Sequence, residues 1–282
     1  MGISRIAYEG MDAVKIETDR YKMIIVSEFG PRVAFWGAPD GDNLLYWDRG
    51  AVSNGEWFLH GGHRVWITRP MADESPDSYL ADNMPCQVEI KDNFARVESP
   101  AHPLFHISRG MEFELMTEDS LTVRNYIVNR GLMLYSGGVW SPTCVKPDNV
   151  VITVDLGQDD VTWDIVKIIV PRIFAGNTVL LNDPQVTFSE TQMIVKPAGV
   201  LTKRCVCAPK GRISLLDVKS GLRFTKTSAY LAGARYPLDG CNVAVFVGAD
   251  NWMAEMETYG AEQPVSPGNR IENTEVWTLA SR

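Results

Sequence analysis

The chain has 282 residues, 45% hydrophobic, 10% aromatic and 22% charged, which is an ordinary globular composition with enough apolar material for a large core. It excludes a disordered chain, a collagen-like repeat and a disulfide-dense miniprotein. Lys and Arg total 27 against 35 Asp and Glu, for a formal charge of −8, and the longest basic run is the pair Lys203-Arg204, so no nucleic-acid footprint is expected.

Strands recur from about Val14 onward, and the hairpin is the dominant local signal. Residues 87–98 place Asp92-Asn93 between two alternating runs. Residues 111–128 repeat the arrangement, with Met111, Phe113 and Leu115 on one face answered by Leu121 and Val123. Residues 164–174 are rich in β-branched side chains and carry Pro171, so they read as strand or loop rather than helix. Residues 213–227 turn at Ser220-Gly221, and residues 242–260 turn at Asp250-Asn251. Period-two alternation joined by short Asn, Asp, Gly and Ser turns specifies antiparallel pairing. A doubly wound parallel sheet needs a helix after nearly every strand, and those helices are missing. With no fixed-period repeat and no low-complexity linker, one large antiparallel β-sandwich over residues 1–282 is expected.

No apolar run approaches the ~20 residues that cross a bilayer, and the first residues lack the apolar stretch of a secretory leader. The five cysteines (Cys86, Cys144, Cys205, Cys207, Cys241) are odd in number and scattered, a pattern that suits a reduced, cytoplasmic protein without disulfides. Phosphate-cradling glycine loops are absent, and no cofactor is expected.

The densest polar stretch is residues 55–83, which reads as a long excursion from the sheet and a place for binding groups. His60 and His63 lie three apart, but Gly61-Gly62 between them argues against a helical metal site, so no metal is expected. A neutral imidazole can donate from one nitrogen and accept at the other, which suits a hydroxyl ligand. Arg64 offers a planar fork of donors for hydroxyls or a carboxylate, or a salt bridge within the loop. Near the C-terminus, Glu255 and Glu257 share one face of a strand, with Met256 opposed. They are either a solvated face or proton-moving carboxylates in a cleft.

The order of several motifs resembles the galactose mutarotase-like superfamily, the aldose 1-epimerases and their relatives. These motifs are KMIIVSEFGPRVAFWGAPDGDNLLYWD near the N-terminus, then GGHRVWITRP with DSYLADNMP, then LTVRNYIVNRGLMLYSGGVWSPT, and last MAEMETYGAEQPVSPGNRIENTEVWTL. The resemblance covers most of the chain and is weakest over residues 150–212. It implies an all-β fold, a large antiparallel β-supersandwich. It also implies acid/base epimerisation at the anomeric carbon of a sugar or sugar acid. By motif position the base is Glu257, with Glu255 its neighbouring alternative, and the acid is His63 or His60. Where the family carries a histidine on its active-site strand, this chain has Gly138-Val139-Trp140-Ser141-Pro142. Trp140 can stack on a sugar's C–H face but cannot protonate a ring oxygen, so His63, His60 or Lys226 must substitute. Arg64, Arg69 and Lys226 would meet a ligand carboxylate. A non-catalytic carbohydrate-binding module and uronate isomerase or lyase chemistry on the same fold are the alternatives. The expected partner is a small-molecule sugar or sugar acid, with no nucleic acid and no membrane.

Overall fold

The computed structural model describes residues 2–54, 57–68, 82–157, 169–171 and 180–281. Among these, two large antiparallel sheets face each other. The first has eleven strands and runs in the order Gly2–Tyr8, Met11–Glu17, Lys22–Val26, Arg32–Gly37, His63–Arg64, Val139–Val145, Ala254–Tyr259, Val243–Val247, Thr202–Val206, Ile169–Pro171, with Trp66–Ile67 also pairing with Val139–Val145. The second has ten and runs Val186–Phe188, Gln192–Val195, Val150–Asp155, Arg212–Asp217, Leu222–Ser228, Arg270–Ser281, Ser120–Asn129, Ile107–Leu115, Phe94–Glu98, Gln87–Lys91. Helix is confined, among the described residues, to the four-residue turn Pro237–Gly240 and a short 3-10 turn at Ala249–Asn251. Among the described residues, no helix is long and apolar enough to cross a membrane.

The hairpins expected from alternation are all present. Gln87–Lys91 pairs with Phe94–Glu98, and Ile107–Leu115 with Ser120–Asn129. Arg212–Asp217 pairs with Leu222–Ser228, and Val243–Val247 with Ala254–Tyr259. Asp250 and Asn251 each adopt φ of 55°, the left-handed conformation that Asp and Asn tolerate and a tight connection needs. Of residues 164–174, only Ile169–Pro171 lies in the described region, and it is an edge strand, where proline is tolerated.

Between the sheets lies one continuous apolar cluster drawn from nearly every strand, with Trp36, Phe224 and Trp277 at its centre. The Trp36 and Trp277 rings meet edge-on at 5.4 Å. Strands such as Arg270–Ser281 bury alternate residues only, which is the pattern of a sheet with one face in water. Val139–Val145, Ala254–Tyr259 and Val243–Val247 are buried at every residue. These central strands of the first sheet are therefore covered on both faces, one by the opposing sheet and the other by chain packed outside it.

Candidate functional site

Alternation on these covered strands sorts their side chains onto two faces. Register places His63, Thr143 and Met256 in one line across the sheet, and Met256 belongs to the intersheet core. One residue along, Pro142 and Ala244 flank Glu257, Cys144 and Phe246 flank Glu255, and Tyr259 and Trp66 flank Trp140. Because neighbours in a strand point to opposite faces, Glu255, Glu257, Trp140 and Arg64 lie outside while His63 lies inside. The entry to this strand is made by Gly61 and Gly62, at φ of 80° and 69°. A Cβ on Gly62 would stand 2.2 Å from the Val33 carbonyl oxygen, so only glycine fits this turn into His63-Arg64.

On the outer face, the fully buried Glu257 accepts from Trp140 Nε1 at 2.8 Å and from the Tyr259 hydroxyl at 2.6 Å, both at Oε2. The Lys203 ammonium lies 3.1 Å from the same oxygen and 4.8 Å from the centre of the Trp140 ring. Beside this group, Arg64 donates to Glu255 Oε1 at 2.7 Å and to Cys144 Sγ at 3.0 Å, and its guanidinium lies 4.1 Å over the Trp66 ring. Burial pushes the Cys144 thiol far above its ordinary range, so it stays S–H and donates to Glu255 Oε1 at 3.2 Å. Two cation–carboxylate pairs thus stand side by side, each braced on an indole. The two indoles meet edge-on at 4.9 Å, and Tyr259 stacks on Trp140 at 5.8 Å. Tyr236, Cys241 and the half-buried Tyr230 pack over these rings.

Next to Arg64 across the sheet is Arg32, whose guanidinium meets Asp82 at 2.8 Å and the Gly61 carbonyl at 2.7 Å. Burial alone would raise the Asp82 pKa, but Arg32, Arg64 and Arg109 outweigh it and hold the carboxylate ionised.

The inner face carries a second polar group, sealed between the sheets. His63 Nε2 donates to Asn125 Oδ1 at 2.9 Å, since the Asn125 amide nitrogen is spent on Asn273 O and Glu275 Oε2. Nδ1 is then the acceptor for the Thr143 hydroxyl at 2.8 Å. Thr143 Oγ1 in turn accepts from Lys226 Nζ at 2.7 Å, which fixes the direction of the chain. Lys226 pairs with Glu275 at 2.8 Å and also donates to the Ser141 and Met256 carbonyls. Glu275 further accepts from Thr258, Asn125 and Trp277 Nε1, so each carboxylate oxygen has two donors. Burial, reinforced by Lys226 and Arg64, drives His63 down to about 3, so the imidazole is neutral.

The expected site residues are divided between the two faces of the sheet. His63, the expected acid, and Lys226, its expected substitute, sit in the intersheet layer at 0% exposure, on the other face from Glu257. Their donors and acceptors are committed to protein. His60 is half-buried on the hairpin of Trp47–Asn54 and Trp57–Gly61, where it stacks on Phe29 at 3.9 Å and bonds to Asp48 O. Trp140 lies where expected, but its ring is met by Lys203 and Tyr259, and its part in the site is the Nε1–H donated to Glu257. Arg64 and Glu255 are brought together with Glu257, while Arg69 lies outside the described residues. Tyr259 was within reach of the sequence, two residues beyond Glu257 on the same face. Lys203 was not, because only strand order brings it to a carboxylate 54 positions away.

No protein-family model matches the chain, and no curated protein matches it. Solved structures do. A candidate aldose 1-epimerase of Escherichia coli K12 superposes with a TM-score of 0.67 at 11% identity, covering 97% of this chain and 100% of its own. A galactose mutarotase related enzyme of Lactobacillus acidophilus gives 0.63 at 12% identity, covering 95% and 97%. A galactose mutarotase-like protein of Lactobacillus casei gives 0.63 at 10%, covering 95% and 100%. The chain is similar to these proteins over nearly its whole length, and its fold is the galactose mutarotase-like β-supersandwich.

Proposed function

We propose that this galactose mutarotase-like fold binds a sugar or sugar acid on the outer face of its first sheet, with Glu257 as the proton-accepting carboxylate. One observation carries the reading: a wholly buried glutamate on the strand that the resemblance assigns to the base, oriented by Trp140, Tyr259 and the Lys203 ammonium. A buried carboxylate beside a buried ammonium supplies a base and an acid in one place. In the reaction the carboxylate takes the proton of the C1 hydroxyl, and the Lys203 ammonium gives a proton to the ring oxygen. The ring opens to the aldehyde, rotation about C1–C2 exposes the other carbonyl face, and reclosure with the proton transfers reversed gives the other anomer. Lys203 takes the part that the resemblance gave to a histidine. Arg64 supports a ligand carboxylate, since a hexuronate could take the place of Glu255 on its guanidinium.

A second reading, binding without turnover, is favoured by the same close pairing, because Lys203 and Glu257 already neutralise one another. NMR exchange spectroscopy on aldoses and hexuronates separates the two. Anomer exchange accelerated by the wild type, and slowed about 10²–10⁴-fold in Glu257→Gln and in Lys203→Met, supports proton transfer. Binding with no acceleration supports the module, and neither binding nor acceleration defeats both.

A further inference from the structure

The outer face of the second sheet divides into two halves of different character. On the half formed by Phe94–Glu98, Ile107–Leu115 and Ser120–Asn129, polar side chains satisfy one another. Glu112 is gripped by Arg96 and Arg270, Arg124 pairs with Glu114, and Arg130 pairs with Glu98. The other half, formed by Val150–Asp155, Arg212–Asp217, Leu222–Ser228 and Arg270–Ser281, is different. Pairing register aligns Thr153 with Ser214, Ser214 with Thr225 and Thr225 with Thr278, a straight row of four hydroxyls across four strands. The row forms the floor of a cleft of about 520 Å³. Threonine is common on exposed strands for its β-propensity alone. This row is set apart by its concavity and by Ser214, which is only 8% exposed yet bonds through its hydroxyl to no described residue.

Two arginines line the cleft on opposite sides of the row. Arg212 precedes Ser214 by two residues, and Arg223 precedes Thr225 by two on the antiparallel neighbour. The two backbones are therefore separated along the strands by roughly 13 Å. Asp155 approaches Arg212 only to 4.0 Å, and two arginines against this one carboxylate leave the cleft positive on a chain of net negative charge.

We infer that this cleft is a second binding site, distinct from the Glu257 face, for an acidic oligosaccharide laid across the strands. Hydroxyls both donate and accept, so a row of them complements a ligand that is itself a row of hydroxyls. Neighbouring strands lie about 4.8 Å apart, a spacing comparable with one pyranose ring. The arginines at either side select ligand carboxylates.

The test is calorimetric titration of the full chain with oligogalacturonate, oligomannuronate and oligoguluronate, and with the methyl ester of whichever binds. Thr225→Val/Thr278→Val removes two hydroxyls without changing side-chain shape and should weaken the acidic oligomer at least tenfold with an unaltered melting curve. Arg223→Ala should weaken the acid at least tenfold and the ester little. Glu257→Gln should leave this affinity unchanged, and the threonine double variant should leave any anomer exchange unchanged. Failure of all three oligomers to bind, affinity that survives the valine and alanine changes, or affinity lost in Glu257→Gln instead would each overturn the assignment. Loss of the anomerase reading alone would leave it standing.

Discussion

Replacing Lys226 by methionine removes the cation from beneath the site strands while keeping much of the side-chain volume. The wild-type ammonium lies 2.8 Å from Glu275, with both groups at 0% exposure, and it also serves Thr143 Oγ1 and the Ser141 and Met256 carbonyls. The variant strands a buried carboxylate and two carbonyls, a loss of about 3–5 kcal/mol for one partner of a buried pair. For a chain of this size that is a fall in Tm of roughly 10 °C. Burial alone would raise the Glu275 pKa, but Lys226 and the Thr258 hydroxyl hold it below the usual carboxylate value. The pair's contribution is therefore complete above the unfolded pKa and is lost as pH falls through the lowered folded one. Without Lys226, burial dominates and the Glu275 pKa rises. The variant's deficit should then be largest near pH 7 and shrink toward pH 5, as Glu275 takes up a proton. Lys226→Met/Glu275→Gln should recover most of the loss. Thermal and urea melts of the three proteins at both pH values test this. A double variant no more stable than Lys226→Met, or a deficit under about 1 kcal/mol at pH 7, refutes the account of Glu275 as a charge held by Lys226.

The neutral His63 has its own signature. Its folded pKa of about 3 lies below the unfolded value of 6.5, so the unfolded chain binds the extra proton and stability falls as pH drops from 6.5. The contribution is up to about 1.4 kcal/mol per pH unit, and urea melts of His63→Gln between pH 6.5 and 4.5 should show a slope shallower than wild type by that amount. Gly62→Ala forces a Cβ into the Val33 carbonyl at a left-handed φ and should lower stability by about 1–3 kcal/mol or more, read as Tm or as loss of soluble protein. Cys144, Cys205 and Cys241 are buried and Cys86 and Cys207 half-buried, so a thiol reagent should label at most the latter two before unfolding. Labelling of Cys144 at native rates would contradict its burial beside Arg64 and Glu255.

Much of the fold was legible in the sequence because period-two alternation and short polar turns are local properties. Residues 87–98, 107–129, 212–228 and 243–259 each carry both strands and the turn that joins them, and the structure forms the hairpins that these residues encode. The shared face of Glu255 and Glu257 follows from the same rule. Alternation also makes it certain that Met256 opposes them, but it does not say which of the two faces meets the second sheet. That choice belongs to the tertiary structure, and it sends His63 inward and Arg64 outward at the end of a two-glycine turn whose direction no periodicity reveals. The partners of the buried charges are likewise non-local. Lys203 reaches Glu257, and Lys226 reaches Glu275, because strand order and register set them side by side across long stretches of chain. The sequence by itself determined an antiparallel all-β chain and a set of candidate proton-moving residues that lacked Lys203. Only packing decided which of them share a face, because burial and pairing register are properties of whole sheets rather than of any segment within them.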